Sequence, residues 1–223
     1  ALYQLDGINV DFENVYVKDG PLLTQFMREL TPLLHEAGLT VSIDVTFAGG
    51  SPTWSQFLDR KALGEIVDYM MVMAYDEHWA SSPVAGSVAS LPWVEQGVRR
   101  IIESIGVPAK KVVLGVPFYT RIWTEKTANG KTEVSSRAVG MGAVANLLRD
   151  KKLTPVFDEA VGQHYVEYQE NGARHRIWIE DDVSMKARAE LVIKLGLGGI
   201  AAWSRNFAVD SIWTTIDETL NGP

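Results

Sequence analysis

The chain has 223 residues, 21 basic and 28 acidic side chains and a formal charge of −7, with 46% apolar and 22% charged residues. Such a chain can bury a sizeable core, and its acidic balance excludes a nucleic-acid backbone or an anionic membrane surface as the expected partner. It contains no cysteine, which removes disulfides, thiolate nucleophiles and cysteine-held zinc together.

No run approaches the roughly 18 uninterrupted apolar residues of a membrane span, and residues 1–20 carry no signal-peptide pattern. Seven Trp and seven Tyr are divided between core positions and exposed platforms for a sugar or other ligand.

In chain order, residues 2–12 read as a strand ending in acids, and 21–37 as an amphipathic helix closed by Gly38. Residues 39–47 (LTVSIDVTF) are rich in β-formers and lead through Gly-Gly-Ser-Pro to a helix over 54–66. The run DYMMVMAY (68–75) is an almost wholly apolar strand. A helix follows over 91–105, then the strand KVVLGVPFY (111–119). Residues 184–195 are helical, GGIAAWS (198–204) is a strand, and 209–220 form a last helix. Near-continuous apolar strands separated by helices predict a parallel sheet covered by those helices.

The stretch 120–180 breaks this rhythm. It holds a short helix over 141–150 and two alternating runs joined by Glu-Asn-Gly-Ala, a β-hairpin pattern. A small α+β insertion is predicted there, between barrel-type units in 1–119 and a closing part in 181–223. A (β/α)8 barrel needs about 250 residues, roughly 31 per unit. Without the insertion about 160 remain, enough for five units. Periodicity alone leaves two solutions open, an open α/β sheet or the C-terminal part of a barrel.

The segment DGINVDFEN distinguishes them. On a strand, Asn9, Asp11 and Glu13 share one face at about 6.6 Å per step, while Ile8, Val10 and Phe12 face the other way. Polar groups on one face of a central strand are costly unless fully hydrogen-bonded or engaged in chemistry. Two adjacent same-face carboxylates repel, so at least one holds its proton more tightly, which suits a general acid.

DGINVDFE resembles the D-G-x-D-x-D-x-E signature of glycoside hydrolase family 18, the chitinase and N-acetylglucosaminidase family. MAYD (73–76) is similar to that family's M-x-Y-D, GVPFYTR (115–121) to its G-x-P-F-Y-x-R, and GGIAAWS to its last barrel strand with its tryptophan. The resemblance implies a (β/α)8 TIM barrel in α/β architecture, of which strands four to eight are present, with the α+β insertion between strands seven and eight. The forms DGINVDFENV and MAYDEHW look most like the spore-cortex and cell-wall branch. That implies a bacterial cell-wall, spore or extracellular location.

The resemblance also implies roles. Glu13 would protonate the glycosidic oxygen. Asp11 would orient the substrate's acetamido group, whose oxygen is the nucleophile, so that no second carboxylate is needed for attack. Tyr75 would hydrogen-bond that acetamide, Asp76 would bind the sugar, and Trp203 would form an apolar floor beneath it. Tyr119 and Arg121 would line neighbouring subsites. Asn9 departs from the signature, which has Asp there; an amide can hydrogen-bond Asp11 but cannot share a charge or proton with it.

Other readings of these residues stay open. Tyr75 and Trp203 are either site or core aromatics, and Arg121 either lines a subsite or pairs with an acid of the insertion. Glu77 and His78 are expected in a solvated loop. No cofactor is implied, and a metal site from Asp6, Asp11 and His78 is disfavoured.

The function implied is a retaining, substrate-assisted hydrolase of N-acetylglucosamine-containing glycans, with peptidoglycan or spore cortex ahead of chitin. The alternative is a catalytically weak glycan-binding or spore-coat protein on the same fold. Open sheet edges in such a five-strand piece also predict self-association.

Overall fold

A computed structural model describes residues 4–222. The first strand, β1 (Gly7–Val10), is much shorter than the 2–12 expected, and residues 1–3 lie outside the described residues. Asp11 and Glu13 therefore follow the strand's C-terminal end instead of lying within it. Helix α1 (Gly20–Glu36) begins with Pro21, whose missing N–H costs nothing in a first turn, and buries Leu23, Thr24, Met27 and Thr31 along one stripe. Gly38 closes it at φ 74°, with its N–H donating to the His35 carbonyl.

In β2 (Thr40–Val45) the residues alternate: Val41, Ile43 and Val45 are buried in the core, while Ser42 and Asp44 take the other side. The helix expected over 54–66 is split. A π-helical turn, Pro52–Gln56, is capped by the Ser51 side chain, and α2 (Arg60–Ile66) starts afresh with Asp59 accepting from the Ala62 N–H. Two capping side chains within nine residues each start a helix, so one helix becomes two.

Then come β3 (Tyr69–Met73), which ends before Tyr75, and α3 (Leu91–Arg99), continued by a π-helical turn Arg100–Ile105 and stopped at Gly106. Every residue of β4 (Val112–Pro117) is buried.

The insertion holds more strand than expected. Besides the helix α4 (Met141–Lys151) and the hairpin formed by β8 (Gln163–Glu170) and β9 (Ala173–Ile179), it contains a long hairpin of β5 (Tyr119–Ala128) and β6 (Lys131–Gly140), and a short β7 (Val156–Asp158). Both long hairpins turn on Asn-Gly with positive φ at both residues, 52° and 72° at Asn129-Gly130 and 51° and 70° at Asn171-Gly172. That is the turn whose twist matches paired strands. The chain ends with α5 (Asp182–Leu195), β10 (Gly199–Trp203) and α6 (Asp210–Asn221).

Among the described residues the strands form two five-stranded sheets, one ordered β1-β2-β3-β4-β10 and the other β6-β5-β9-β8-β7. In the first, β1 to β4 pair in parallel, Asn9 opposite Ser42, Ser42 opposite Tyr69 and Asp44 opposite Met71. The pairings in the second are antiparallel.

The chain packs as two compact units. One comprises the chain up to Met73, Gln96–Gly115 and Leu195–Ala201; the other comprises Ala74–Glu95, Val116–Lys194 and the chain from Ala202 on. The core of the first brings Met27, Leu63 and Ile101 against Val41, Val45, Met70, Val72 and Val112. Each fully buried side chain of this size contributes about 1.5–3 kcal/mol. A core of the second joins Ile122, Val139, Val166, Ile177 and Ile179 to Val144 of α4. It also buries an ion pair, Glu180–Arg188.

Candidate active site

In the first unit the end of β1 sends its residues to two sides. Val10 enters the core, and the Phe12 ring stacks on Phe26 of α1 at 5.7 Å. Asn9 faces the polar side of β2, where its Oδ1 accepts the Ser42 hydroxyl at 2.8 Å and its amide donates to Asp44. These interactions run across the sheet to β2. Asp11 and Glu13 are exposed, and Asn14 (φ 57°) turns the chain directly after them.

Asp44 responds to this gathering of acids. Burial pushes its carboxyl up to about 6, the Asn9 hydrogen bond pulls it down, and the charges of Asp11 and Glu13 raise it further. Sequence reading missed Asp44. The signal was there: a lone acid on the polar face of the alternating TVSIDV strand, beside Thr40 and Ser42.

In the second unit, Tyr75 and Asp76 follow the end of β3, with Asp76 in the left-handed region at φ 58°. The Tyr119 hydroxyl donates to Asp76 Oδ1 at 2.7 Å, and Arg121 Nη2 reaches the same oxygen at 3.4 Å. Burial first, then the Asp76 charge, holds the Tyr119 phenol protonated far above its usual range. Tyr75 meets the Tyr119 ring edge-on at 6.3 Å, and the Arg121 guanidinium lies 5.9 Å from the same ring. Arg121 is buried and its ion pair is with Asp76; its second hydrogen bond goes to Ser136 Oγ at 3.4 Å. The partner is therefore not an acid of the insertion. Tyr119 and Arg121 hold the Asp76 carboxylate.

Trp203 stands at the end of β10 with 56% of its surface exposed, so it is not a core aromatic. The peptide bond after it, Trp203–Ser204, is cis. Glu77 and His78 are not in a solvated loop. Both are half-buried; Glu77 accepts from the Ser90 N–H at 2.7 Å and the Ser90 hydroxyl at 3.0 Å, and His78 Nδ1 bonds the Ser87 carbonyl at 2.8 Å. They fasten the loop that precedes α3. Among the described residues no three His, Asp or Glu side chains form a metal-binding group.

The structure thus gathers Asn9, Asp11 and Glu13 with Asp44 in one unit, and Tyr75, Asp76, Tyr119 and Arg121 in the other. Acids and aromatics following the C-terminal ends of parallel strands are the arrangement of (β/α)-barrel enzymes.

Comparison with known proteins makes the class definite. The chain is similar to a chitinase of Chromobacterium violaceum (TM-score 0.86, 28% identity, over 97% of this chain and 66% of that one) and, in fold, to the Bacillus cereus spore cortex-lytic enzyme SleL (TM-score 0.87, 24% identity, over 99% and 50%). It is 28% identical to the cortical fragment-lytic enzyme of Bacillus subtilis over 225 residues, 98% of this chain and 51% of that protein. The fold is a (β/α)8 barrel in part, five of its strands with an α+β insertion between the fourth and fifth of them. Residues 2–208 match Glycosyl hydrolases family 18, and the chain belongs to that family. It spans about half the length of the curated relatives it matches.

Proposed function

We propose that this chain carries the acid end of a retaining, substrate-assisted glycosidase acting on N-acetylglucosamine-containing glycans, with spore cortex and other peptidoglycan preferred over chitin. The observation that carries the reading is the placement of Asp11 and Glu13, both exposed, directly after the C-terminal end of β1 in a parallel sheet, with the carboxyl of Asp44 on the polar side of β2. Mutual repulsion favours retention of a proton within such a group, as a general acid requires.

In this reading Glu13 gives its proton to the glycosidic oxygen as the bond to the anomeric carbon breaks. The substrate's acetamido oxygen forms the new bond to that carbon and closes an oxazolinium ring. Asp11 stabilises the positive charge on the ring nitrogen, and the Tyr75 hydroxyl holds the acetamide. Glu13, now a carboxylate, then takes a proton from the water that opens the ring from the opposite face. Two inversions give net retention. Asp76, fixed by Tyr119 and Arg121, binds the sugar, and the exposed Trp203 face gives it an apolar floor. The names of the cortex-lytic relatives support a spore or cell-wall location for the whole protein.

Glu13→Gln keeps shape and removes the transferable proton. In the complete polypeptide it is expected to lower kcat by about 10²–10⁴-fold with glycan binding kept. Turnover equal to wild type on an N-acetylglucosaminide or on cortex fragments would overturn the reading.

A further inference from the structure

Asp76 opens a stretch, residues 76–90, that contains no helix or strand. The polar groups of such a backbone must find partners outside a regular ladder. Several of its carbonyls find them in side chains of the same compact unit. Ser136 Oγ on β6 donates to the Ala80 carbonyl at 3.1 Å, Arg176 Nη2 on β9 to the Ala85 carbonyl at 3.1 Å, and Trp123 Nε1 on β5 to the Gly86 carbonyl at 2.8 Å. Arg188 on α5 donates to the Ala89 carbonyl. The insertion thus holds the loop along its length.

Of these donors, Ser136 also touches the group that grips Asp76. Arg121 is buried, and its Nε has no hydrogen-bond partner among the described residues. Its Nη2 reaches Asp76 Oδ1 at 3.4 Å, and its Nη1 donates to Ser136 Oγ at 3.4 Å. Both bonds are long, and a planar guanidinium is oriented by the oxygens its ends meet. Asp76 and Ser136 are those two oxygens here. The Ser136 hydroxyl gives its hydrogen to Ala80, which leaves its oxygen free to accept from Arg121.

We propose that Ser136 is a positioning residue for substrate binding: it joins the loop that Asp76 opens to the guanidinium that holds the Asp76 carboxylate, and so sets where that carboxylate stands. This rests on the reading of Asp76 as the residue that binds the sugar.

The test is Ser136→Ala in the complete polypeptide. The bond to Ala80 is exposed, so water takes the place of the lost donor and the denaturant midpoint stays near wild type. KM for an N-acetylglucosaminide should rise about three- to tenfold, with kcat within about twofold of wild type. Ser136→Thr keeps the hydroxyl and should keep the wild-type KM. Titration calorimetry with an N-acetylglucosamine tetramer then compares Ser136→Ala with and without Asp76→Ala. A residue that acts through Asp76 adds nothing once Asp76 is gone. Nitrogen-15 NMR of the Arg121 side chain, which needs no substrate, should show faster guanidinium rotation in Ser136→Ala.

The proposal is overturned by unchanged Arg121 rotation. It is overturned equally if Asp76→Ala weakens tetramer binding while Ser136→Ala does not, or if Ser136→Ala weakens it by the same factor with and without Asp76. If Arg121 rotation responds while Asp76→Ala leaves tetramer binding unchanged, the grip of Ser136 on Arg121 stands and the reading of Asp76 as the sugar-binding residue is what fails.

Discussion

Arg188→Met should destabilise the protein by about 3–5 kcal/mol, chiefly by stranding a buried charge. Glu180 and Arg188 are each 2% exposed or less. Two guanidinium nitrogens meet the two carboxylate oxygens at 2.8 and 2.9 Å, and one of them also reaches the Ala89 carbonyl. Methionine fills most of the arginine stem's space, so what remains is a carboxylate held by neutral donors, Ser184 Oγ at 2.8 Å and Gln163 Nε2 at 2.9 Å.

Burial already pushes the Glu180 carboxyl up against the pull of Arg188; without the guanidinium it rises further. The deficit should therefore be largest at alkaline pH and shrink in acid, where protonation removes the buried charge. Urea unfolding followed by far-UV circular dichroism at pH 8 and pH 5 measures both quantities. In a chain of this length the loss corresponds to a fall in Tm of about 6–20 °C. A cost below about 1 kcal/mol at pH 8, or a deficit independent of pH, would refute the reasoning. Adding Glu180→Leu should recover most of the loss, because an apolar pair replaces the stranded charge.

Substrates with a hydroxyl in place of the 2-acetamido group should be cleaved orders of magnitude more slowly, and proton NMR of the first product from a β-linked substrate should show the β-anomer; release of the α-anomer would exclude acetamide attack. For stability, the Asp44 carboxyl at about 6 in the folded state against an ordinary 3.8 means that the folded form binds this proton more tightly. Its contribution is present below about pH 3.8 and is lost as pH rises through about 6, so Asp44→Asn should gain up to about 3 kcal/mol over wild type at pH 8 and nothing at pH 3.5, read from denaturant midpoints. The exposed apolar residues Ile8, Phe12, Leu22 and Phe26 beside the β1 edge predict that the isolated 223-residue chain self-associates; a monomer by analytical ultracentrifugation at micromolar concentration would refute this.

The parallel sheet was legible because β4 is buried on both faces and β3, though its burial alternates, carries apolar side chains on both, so that KVVLGVP and DYMMVM read as nearly unbroken apolar runs. The hairpin β5–β6 was not, since the half next to its turn is exposed and carries Glu125, Lys126, Lys131 and Glu133, a polar ribbon with no hydrophobic alternation to detect. Its Asn129-Gly130 turn was as plain a signal as Asn171-Gly172, and it alone could have revealed the hairpin.

At the candidate site, residues carried by the strand-end motifs were found by pattern. What the pattern could not supply were cross-strand relations. Ser42 and Asp44 become neighbours of Asn9 only through the register of β1 on β2, and Arg121 finds Asp76 only through the fold. The shortness of β1 has a similar origin: strand propensity runs to Phe12, but the ladder with β2 ends at Val10 opposite Ile43.

Arg60 gives the loop after β2 an unusual kind of order. Its guanidinium is buried and donates to the carbonyls of Thr46, Phe47, Ser55 and Leu58 and to the hydroxyls of Thr46 and Ser55, and burial lowers it to about 10. Chain oxygens converging on one positive centre are how a calcium ion organises a loop. Here the cation is tethered by its own side chain, so the loop's order cannot be stripped by a chelator or exchanged for another ion. It is tied instead to a single codon: lysine in that place, with three donors in a cone in place of five in a plane, would leave several of those oxygens without a hydrogen to accept.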